Sequence, residues 1–423
     1  MKEPVRLDNG IRVHLIPFAG TEAVTVLVLN KVGSRHEDEK VFGAAHFIEH
    51  LMFKGTERRP STLEISRELD SVGAEFNAYT GKDLTGYYVK ADSAKTALAV
   101  DLLHDMLFHS KYDSQEIDRE RGVIIEEINM YEDNPLIHIE ELLEDQMFAG
   151  NNLGRPIAGT RASISQMKRA DIVAFRDRYY IPSRMVIAVA GKVGENILEL
   201  LNRTFGQVPA AGQQPTEFEA FQSPAALAAK VQFKETEQIQ VALGFQSLKK
   251  SDEDLPVLRL MSIILGGTMS SRLFISVRER KGLAYLIRCG NTSYEDTGCF
   301  MIQSGLDQRR LPEAMATILE EIEKMKTEGV SDQELADAKN NLRGRSLLKL
   351  EDSSDRAEWY ANQEVFLAEA ETPEEWLKKH EAVTREQVQA MARRILLTET
   401  MSLAAIGPYG SGEEFIEAAG LKK

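Results

Sequence analysis

The chain has 423 residues, 43% hydrophobic and 28% charged, which is apolar material for two or three cores rather than one. Its 66 acidic and 51 basic residues leave a formal charge of -15, arguing against general affinity for nucleic acid or anionic lipid, both polyanions. Two cysteines, Cys289 and Cys299, are too few for a secreted disulfide framework and read as free thiols.

The first 18 residues lack the apolar core and small-residue cleavage site of a signal peptide. The sequence contains no run of ~18 apolar residues, so no membrane-spanning helix is expected. A cytoplasmic location is therefore expected, although a chain trimmed of a leader would read the same way.

Strand patterns come first: residues 11–16 alternate, and 23–29 are rich in valine and threonine. Helical periodicity follows over 43–53 and 62–72. Residues 74–79 and 84–89 read as a hairpin turning at Thr80-Gly81-Lys82-Asp83. Long helices are expected over 93–108 and 114–131, the second stopped by Asn134-Pro135. Strands in antiparallel groups with helices between them make an α+β class, not the strict alternation of a doubly wound sheet.

The aperiodic stretch 208–215 collects Pro, Gly and Gln at half the chain length and reads as a linker. The expected organisation is an N-terminal domain over 1–210, a linker over 211–224 and a C-terminal domain over 225–423. The halves read as a duplicated unit. Residues 113–118 resemble 331–336, and the helix-then-strand patterns beginning at Arg169 and at Arg385 end in Met185-Val-Ile-Ala-Val-Ala-Gly191 and Met401-Ser-Leu-Ala-Ala-Ile-Gly407.

The chemistry concentrates at His46-Phe47-Ile48-Glu49-His50. Two histidines four apart on a helix present their rings on one face, close enough to share one Zn²⁺. Glu49 lies near that face and can accept a proton from water without ligating the metal. Buried histidines and a buried glutamate are costly unless paired or metal-bound. A catalytic zinc needs a third ligand, and the best segment is Glu120-Arg121-Gly122-Val123-Ile124-Ile125-Glu126-Glu127. Glu120 and Glu127 are two helical turns apart and share a face with Ile124. Spacing alone prefers Glu127 over Glu126 only mildly.

These segments together resemble the inverzincin zinc metallopeptidases, the family of pitrilysin, insulin-degrading enzyme and mitochondrial processing peptidase, whose inverted motif is His-x-x-Glu-His. The resemblance runs over roughly residues 5–410. It implies one Zn²⁺ per chain held by His46, His50 and Glu127, with Glu49 as catalytic base and Glu120 orienting the site. It implies that the strand bearing Asn77 and Ala78 pairs with an extended substrate. It also implies that Arg278 and Tyr285, in Arg278-Glu279-Arg280-Lys281-Gly282-Leu283-Ala284-Tyr285, reach an active site from the second half. The second half contains a single histidine, His380, and cannot copy the metal motif.

Short members of that family pair two chains around a closed chamber. The expectation is thus a zinc endopeptidase of unfolded peptides or presequences, working as a homodimer, or as a heterodimer with a related chain. A non-catalytic partner subunit is the alternative, and a metal hydrolase on another fold is a second. The acidic run Glu140, Glu141, Glu144 and Asp145 is expected to be a solvated helix face rather than a site for basic substrate.

Overall fold

In the computed structural model, which describes residues 3–210, 215, 217–222 and 226–421, the strands fall into two sheets. The first contains β1 (Val5–Arg6), β2 (Arg12–Pro17), β3 (Ala23–Asn30), β4 (Glu75–Thr80), β5 (Thr85–Asp92) and β6 (Met185–Gly191), in the order β1-β2-β6-β3-β5-β4. The second contains β7 (Ala228–Phe233), β8 (Gln238–Ser247), β9 (Ala284–Ser293), β10 (Gly298–Asp307) and β11 (Ser402–Gly407), in the order β7-β11-β8-β10-β9. Without the short β1, the two orders are the same when strands are ranked along the chain. In both, the first and last strands of the unit pair parallel and the others antiparallel. The class is α+β with two homologous units. The repeat seen at the heads of the Ser114–Asp133 and Asp332–Lys349 helices extends to topology.

Strand β3 shows why the sheets are filled on both sides. Its sequence is almost continuously apolar, as a strand buried on both faces requires. Val24, Val26 and Val28 pack with residues of the Ala44–Met52 and Thr96–His109 helices. Leu27 and Leu29 face the Ser353–Phe366 helix through Ala357, Ala361 and Val365. In the second sheet Ile239, Val241 and Leu243 of β8 pack with the Leu311–Thr327 and Arg385–Ile395 helices, while Ala242 meets the Pro135–Met147 helix.

The two units are not the contiguous halves expected. One comprises 1–129, 156–218 and 347–372; the other comprises 130–155, 219–346 and 373–423. Each contains one helix that chain order would assign to the other half. The boundaries 1–210 and 225–423 therefore do not follow the packing. Much of the expected linker, including 211–214 and 223–224, lies outside the described residues.

Asn134-Pro135 does stop one helix, but it also starts the next. Pro135 is at the first position of the Pro135–Met147 helix, and Asn134 Oδ1 accepts the Leu136 N–H. The acidic run on this helix is paired, not simply solvated. Glu140 meets Arg288 at 2.7 Å, His138 meets Glu141 at 3.3 Å, Asp145 pairs with Lys230, and Tyr294 donates to Glu144. Cys289 and Cys299 are free, and the register places them opposite Ile302 and Thr292. Among the described residues no helix is long and apolar enough to cross a membrane.

Candidate metal centre

The Ala44–Met52 helix begins abruptly at Gly43, whose φ of 88° lies in the left-handed region. A Cβ there would come within 2.7 Å of the Ala158 carbonyl oxygen. Glu37, only 3% exposed, caps this start: its two carboxylate oxygens accept the Gly43 and Ala45 N–H groups, each at 2.8 Å. A negative charge at a helix N-terminus is stabilised by the aligned peptide dipoles. Phe47, Ile48, Leu51 and Met52 are fully or almost fully buried and clamp the other side of the helix into the core. The face that remains carries His46, Glu49 and His50.

The two imidazole rings lie with centroids 4.6 Å apart. Opposite them, the Ser114–Asp133 helix presents Glu120 and Glu127, with Ile124 buried between. Glu127 Oε2 is 3.5 Å from His46 Nε2 and 3.5 Å from His50 Nε2. One ligand atom from each of the three residues lies within 4.8 Å of the others. Glu126 is exposed and meets Asn129 instead. Of the two adjacent glutamates, it is Glu127 that faces the histidines.

This donor set fits a zinc ion on geometry alone. Tetrahedral bonds of about 2.0–2.1 Å hold ligand atoms roughly 3.3–3.4 Å apart, near the separations found here. Those separations are long for direct hydrogen bonds. Burial, with a smaller push from His50, lowers the His46 pKa to about 4 despite Glu127. His46 is thus neutral at neutral pH, with a lone pair available.

His50 is held from behind. Its Nδ1 lies 3.1 Å from Glu120 Oε2, and Lys54 Nζ lies 2.7 Å from Glu120 Oε1. Burial opposes a charge on His50, but the hydrogen bond to Glu120 and the nearby carboxylate charge of Glu127 outweigh it and raise its pKa to about 9. Burial likewise opposes ionisation of Glu120, and the bonds to His50 and Lys54 outweigh it, leaving the carboxyl below its ordinary range. A carboxylate that grips the far nitrogen fixes which nitrogen of the ring faces the cluster.

Glu49 is half-buried, and burial raises its pKa even though Thr80 donates a hydrogen bond to Oε2. Thr80 ends β4, the edge strand of the first sheet. Asn77 and Ala78 lie on that same edge: Asn77 is exposed, Ala78 is buried, and Asn77 Oδ1 accepts the Ala78 N–H at 2.9 Å. Arg278 and Tyr285 belong to the other unit. Arg278 sits on the π-helical turn Phe274–Arg280, and its guanidinium lies 5.3 Å from the ring centre of Tyr285, which is 77% exposed on the edge strand β9.

Glu37, Lys54 and Thr80 escape a reading of the sequence. Each acts across a turn or between elements, where spacing carries no signal. The nearest sequence cue is the hairpin itself, whose turn begins at Thr80.

Residues 12–161 match the family described as Insulinase (Peptidase family M16), and residues 166–342 match Peptidase M16 inactive domain. The chain is 35% identical over 405 residues to the uncharacterized zinc protease YmxG of Bacillus subtilis, covering 96% of this chain and 98% of the relative. The chain belongs to peptidase family M16, the insulinase family. An uncharacterized zinc protease of Rickettsia felis is 32% identical, covering 95% of this chain and 97% of the relative. The M16 fold is shared with a protease from Helicobacter pylori, at a TM-score of 0.90 and 24% identity over 96% of this chain and 99% of that one. A Pseudomonas fluorescens structure described as a peptidase M16 inactive domain aligns with a TM-score of 0.89 at 20% identity, over 97% of this chain and 99% of that one. Within this M16 chain, His46, Glu49, His50 and Glu127 all lie in the segment matched to the insulinase description.

Proposed function

We propose that this M16 chain is a zinc-dependent endopeptidase of extended, unfolded peptides, with one metal per chain held by His46, His50 and Glu127. The observation that carries this reading is the convergence of two imidazole nitrogens and one carboxylate oxygen at zinc-like separations, next to a carboxylate that burial makes more basic. A bound zinc ion would polarise the scissile carbonyl and lower the pKa of an attacking water toward neutrality.

The remaining steps belong to the chain's own side chains. Thr80 engages Glu49 Oε2, which leaves Oε1 to take the proton from water and return it to the leaving amine. Glu120 and Lys54 keep His50 oriented. The substrate adds as a further strand to the edge of β4, replacing the Asn77 carboxamide at the Ala78 N–H. Relatives that are named zinc proteases support the metal and the reaction class.

The working unit under this reading is a homodimer around a closed chamber, in which Arg278 and Tyr285 of one chain serve the metal centre of its partner. Tyr285 would donate to the developing oxyanion and Arg278 would grip a substrate carbonyl. The approach of the Arg278 guanidinium to the exposed Tyr285 ring, 5.3 Å from its centre, suits that role. A cytoplasmic location fits the two free thiols. The complete ligand set weighs against a non-catalytic partner subunit.

Glu49→Gln tests the reading. Zinc content by mass spectrometry should stay at one per chain, while cleavage of a quenched fluorescent peptide falls at least about 100-fold. Cleavage at the wild-type rate would refute the mechanism.

A further inference from the structure

The unit that carries the metal centre also contains a cavity of about 270 Å³, on the opposite face of the first sheet. It is lined by Thr25, Leu27, Asn77, Tyr79, Tyr88 and Glu358. Its floor is β3, β4 and β5, and its wall is the Ser353–Phe366 helix.

The pleat of β4 connects this cavity to the catalytic centre. Phe76, Ala78 and Thr80 point to the metal helix: Phe76 lies 6.1 Å from Phe53 between ring centres, Ala78 joins the core beneath that helix, and Thr80 holds Glu49. Asn77 and Tyr79 point the other way, into the cavity. A peptide strand added to the β4 edge continues the same alternation. Side chains next in sequence to those facing the metal helix are therefore delivered to the cavity side.

The chemistry of the cavity is selective. Tyr79 Oη donates to Glu358 Oε1 at 3.3 Å, and no lysine, arginine or histidine among the described residues forms an ion pair with Glu358. The neighbouring cation on β5, Lys90, is engaged by Asp352 at 2.7 Å and Glu75 at 3.4 Å. Glu358, Asp352 and Glu75 thus outnumber Lys90. Leu27 and the rings of Tyr79 and Tyr88 offer apolar surface for a long aliphatic stem, and Glu358 offers a carboxylate at its end.

We propose that this cavity is a specificity subsite for a lysine or arginine side chain of the substrate, with Glu358 as the counter-ion. It rests on the pairing of an extended peptide with β4 that the peptidase reading includes, and not on turnover. Glu358 is a recognition residue here and touches no reacting atom.

Two measurements keep the proposal separate from that reading. Binding is followed by fluorescence anisotropy to the zinc-loaded Glu49→Gln protein, with and without Glu358→Gln, using unfolded peptides that carry lysine or norleucine at each position in turn. Cleavage of the same peptides by the Glu49 protein is mapped by mass spectrometry. The expected result is that lysine at one position binds about tenfold tighter than norleucine, that Glu358→Gln erases the difference, and that norleucine peptides bind both proteins alike. An unchanged lysine preference in Glu358→Gln, no preference in the parent, or no peptide binding at all overturns the subsite. Binding with the expected preference but no cleavage by the Glu49 protein overturns the peptidase reading and leaves the subsite standing.

Discussion

Thr80 Oγ1 donates a 2.5 Å hydrogen bond to Glu49 Oε2, tying the last residue of the edge strand to the only acid of the metal helix. The bond favours the charged form of Glu49, against burial that disfavours it. Removing it in Thr80→Val raises the Glu49 pKa further. As the proposed base, Glu49 must be ionised to act, so the acid limb of the pH–rate profile for peptide cleavage should move to higher pH. The rate at neutral pH should drop about tenfold, with zinc content unchanged. Thr80→Ser should restore both profile and rate; a Thr80→Val profile that overlays wild type contradicts the role.

Glu127 and Glu126 are adjacent in sequence, but Glu127 faces the imidazoles and Glu126 faces Asn129. Glu127→Gln should strip the protein of zinc under mild dialysis, while Glu126→Gln should retain it. Glu120→Gln should keep zinc but weaken its affinity about 10- to 100-fold, the usual effect of losing a carboxylate that orients a ligating histidine. Competition with a chromophoric chelator measures all three. Equal affinities for the Glu120→Gln and wild-type proteins would separate Glu120 from the centre.

His36, outside the proposed ligand set, supplies a pH dependence of stability. Its Nε2 accepts from Arg184 at 3.1 Å and Nδ1 lies 3.3 Å from the Gly33 carbonyl oxygen, an arrangement that suits the neutral ring. Burial, reinforced by the Arg184 charge, lowers its pKa to about 3. Between about 3 and the ordinary value of about 6.5 the unfolded chain binds the proton more readily, so stability rises with pH across that window and is lost on acidification. The loss from pH 7 to pH 5 is on the order of 2 kcal/mol from this one group. Urea unfolding at both values should show a shallower pH dependence for His36→Gln than for wild type. The same slope in both would remove His36 as the cause.

The proposed exchange of Tyr285 between chains can be read by complementation. Glu49→Gln and Tyr285→Phe should each be nearly inactive as homodimers. Unfolded and refolded together, half of the dimers are mixed, and each mixed dimer holds one site with both groups intact if Tyr285 acts on the partner. About a quarter of wild-type activity should then return. No recovery, with mixed dimers verified by native mass spectrometry, would place Tyr285 outside the partner's site.

The amino-acid sequence by itself determined what lies within a few residues along one element. His46, Glu49 and His50 share a helical face because the helix repeats every 3.6 residues, and Glu120 shares one with Glu127 for the same reason. The β4–β5 hairpin, the α+β class and the duplication were legible from period, turn residues and spaced similarity. Tertiary structure alone decided what depends on which elements meet. It brought the Glu127 carboxylate to within 3.5 Å of both imidazoles, brought Lys54 to Glu120 and Thr80 to Glu49, and placed Glu37 under the start of the metal helix. It assigned 130–155 and 347–372 to the unit opposite their neighbours in the chain, and so set Glu358 beside Tyr79, 279 positions away. Local periodicity says which way a side chain points from its own element. It carries no record of the partner surface, which is chosen by the burial of whole faces across long stretches of chain.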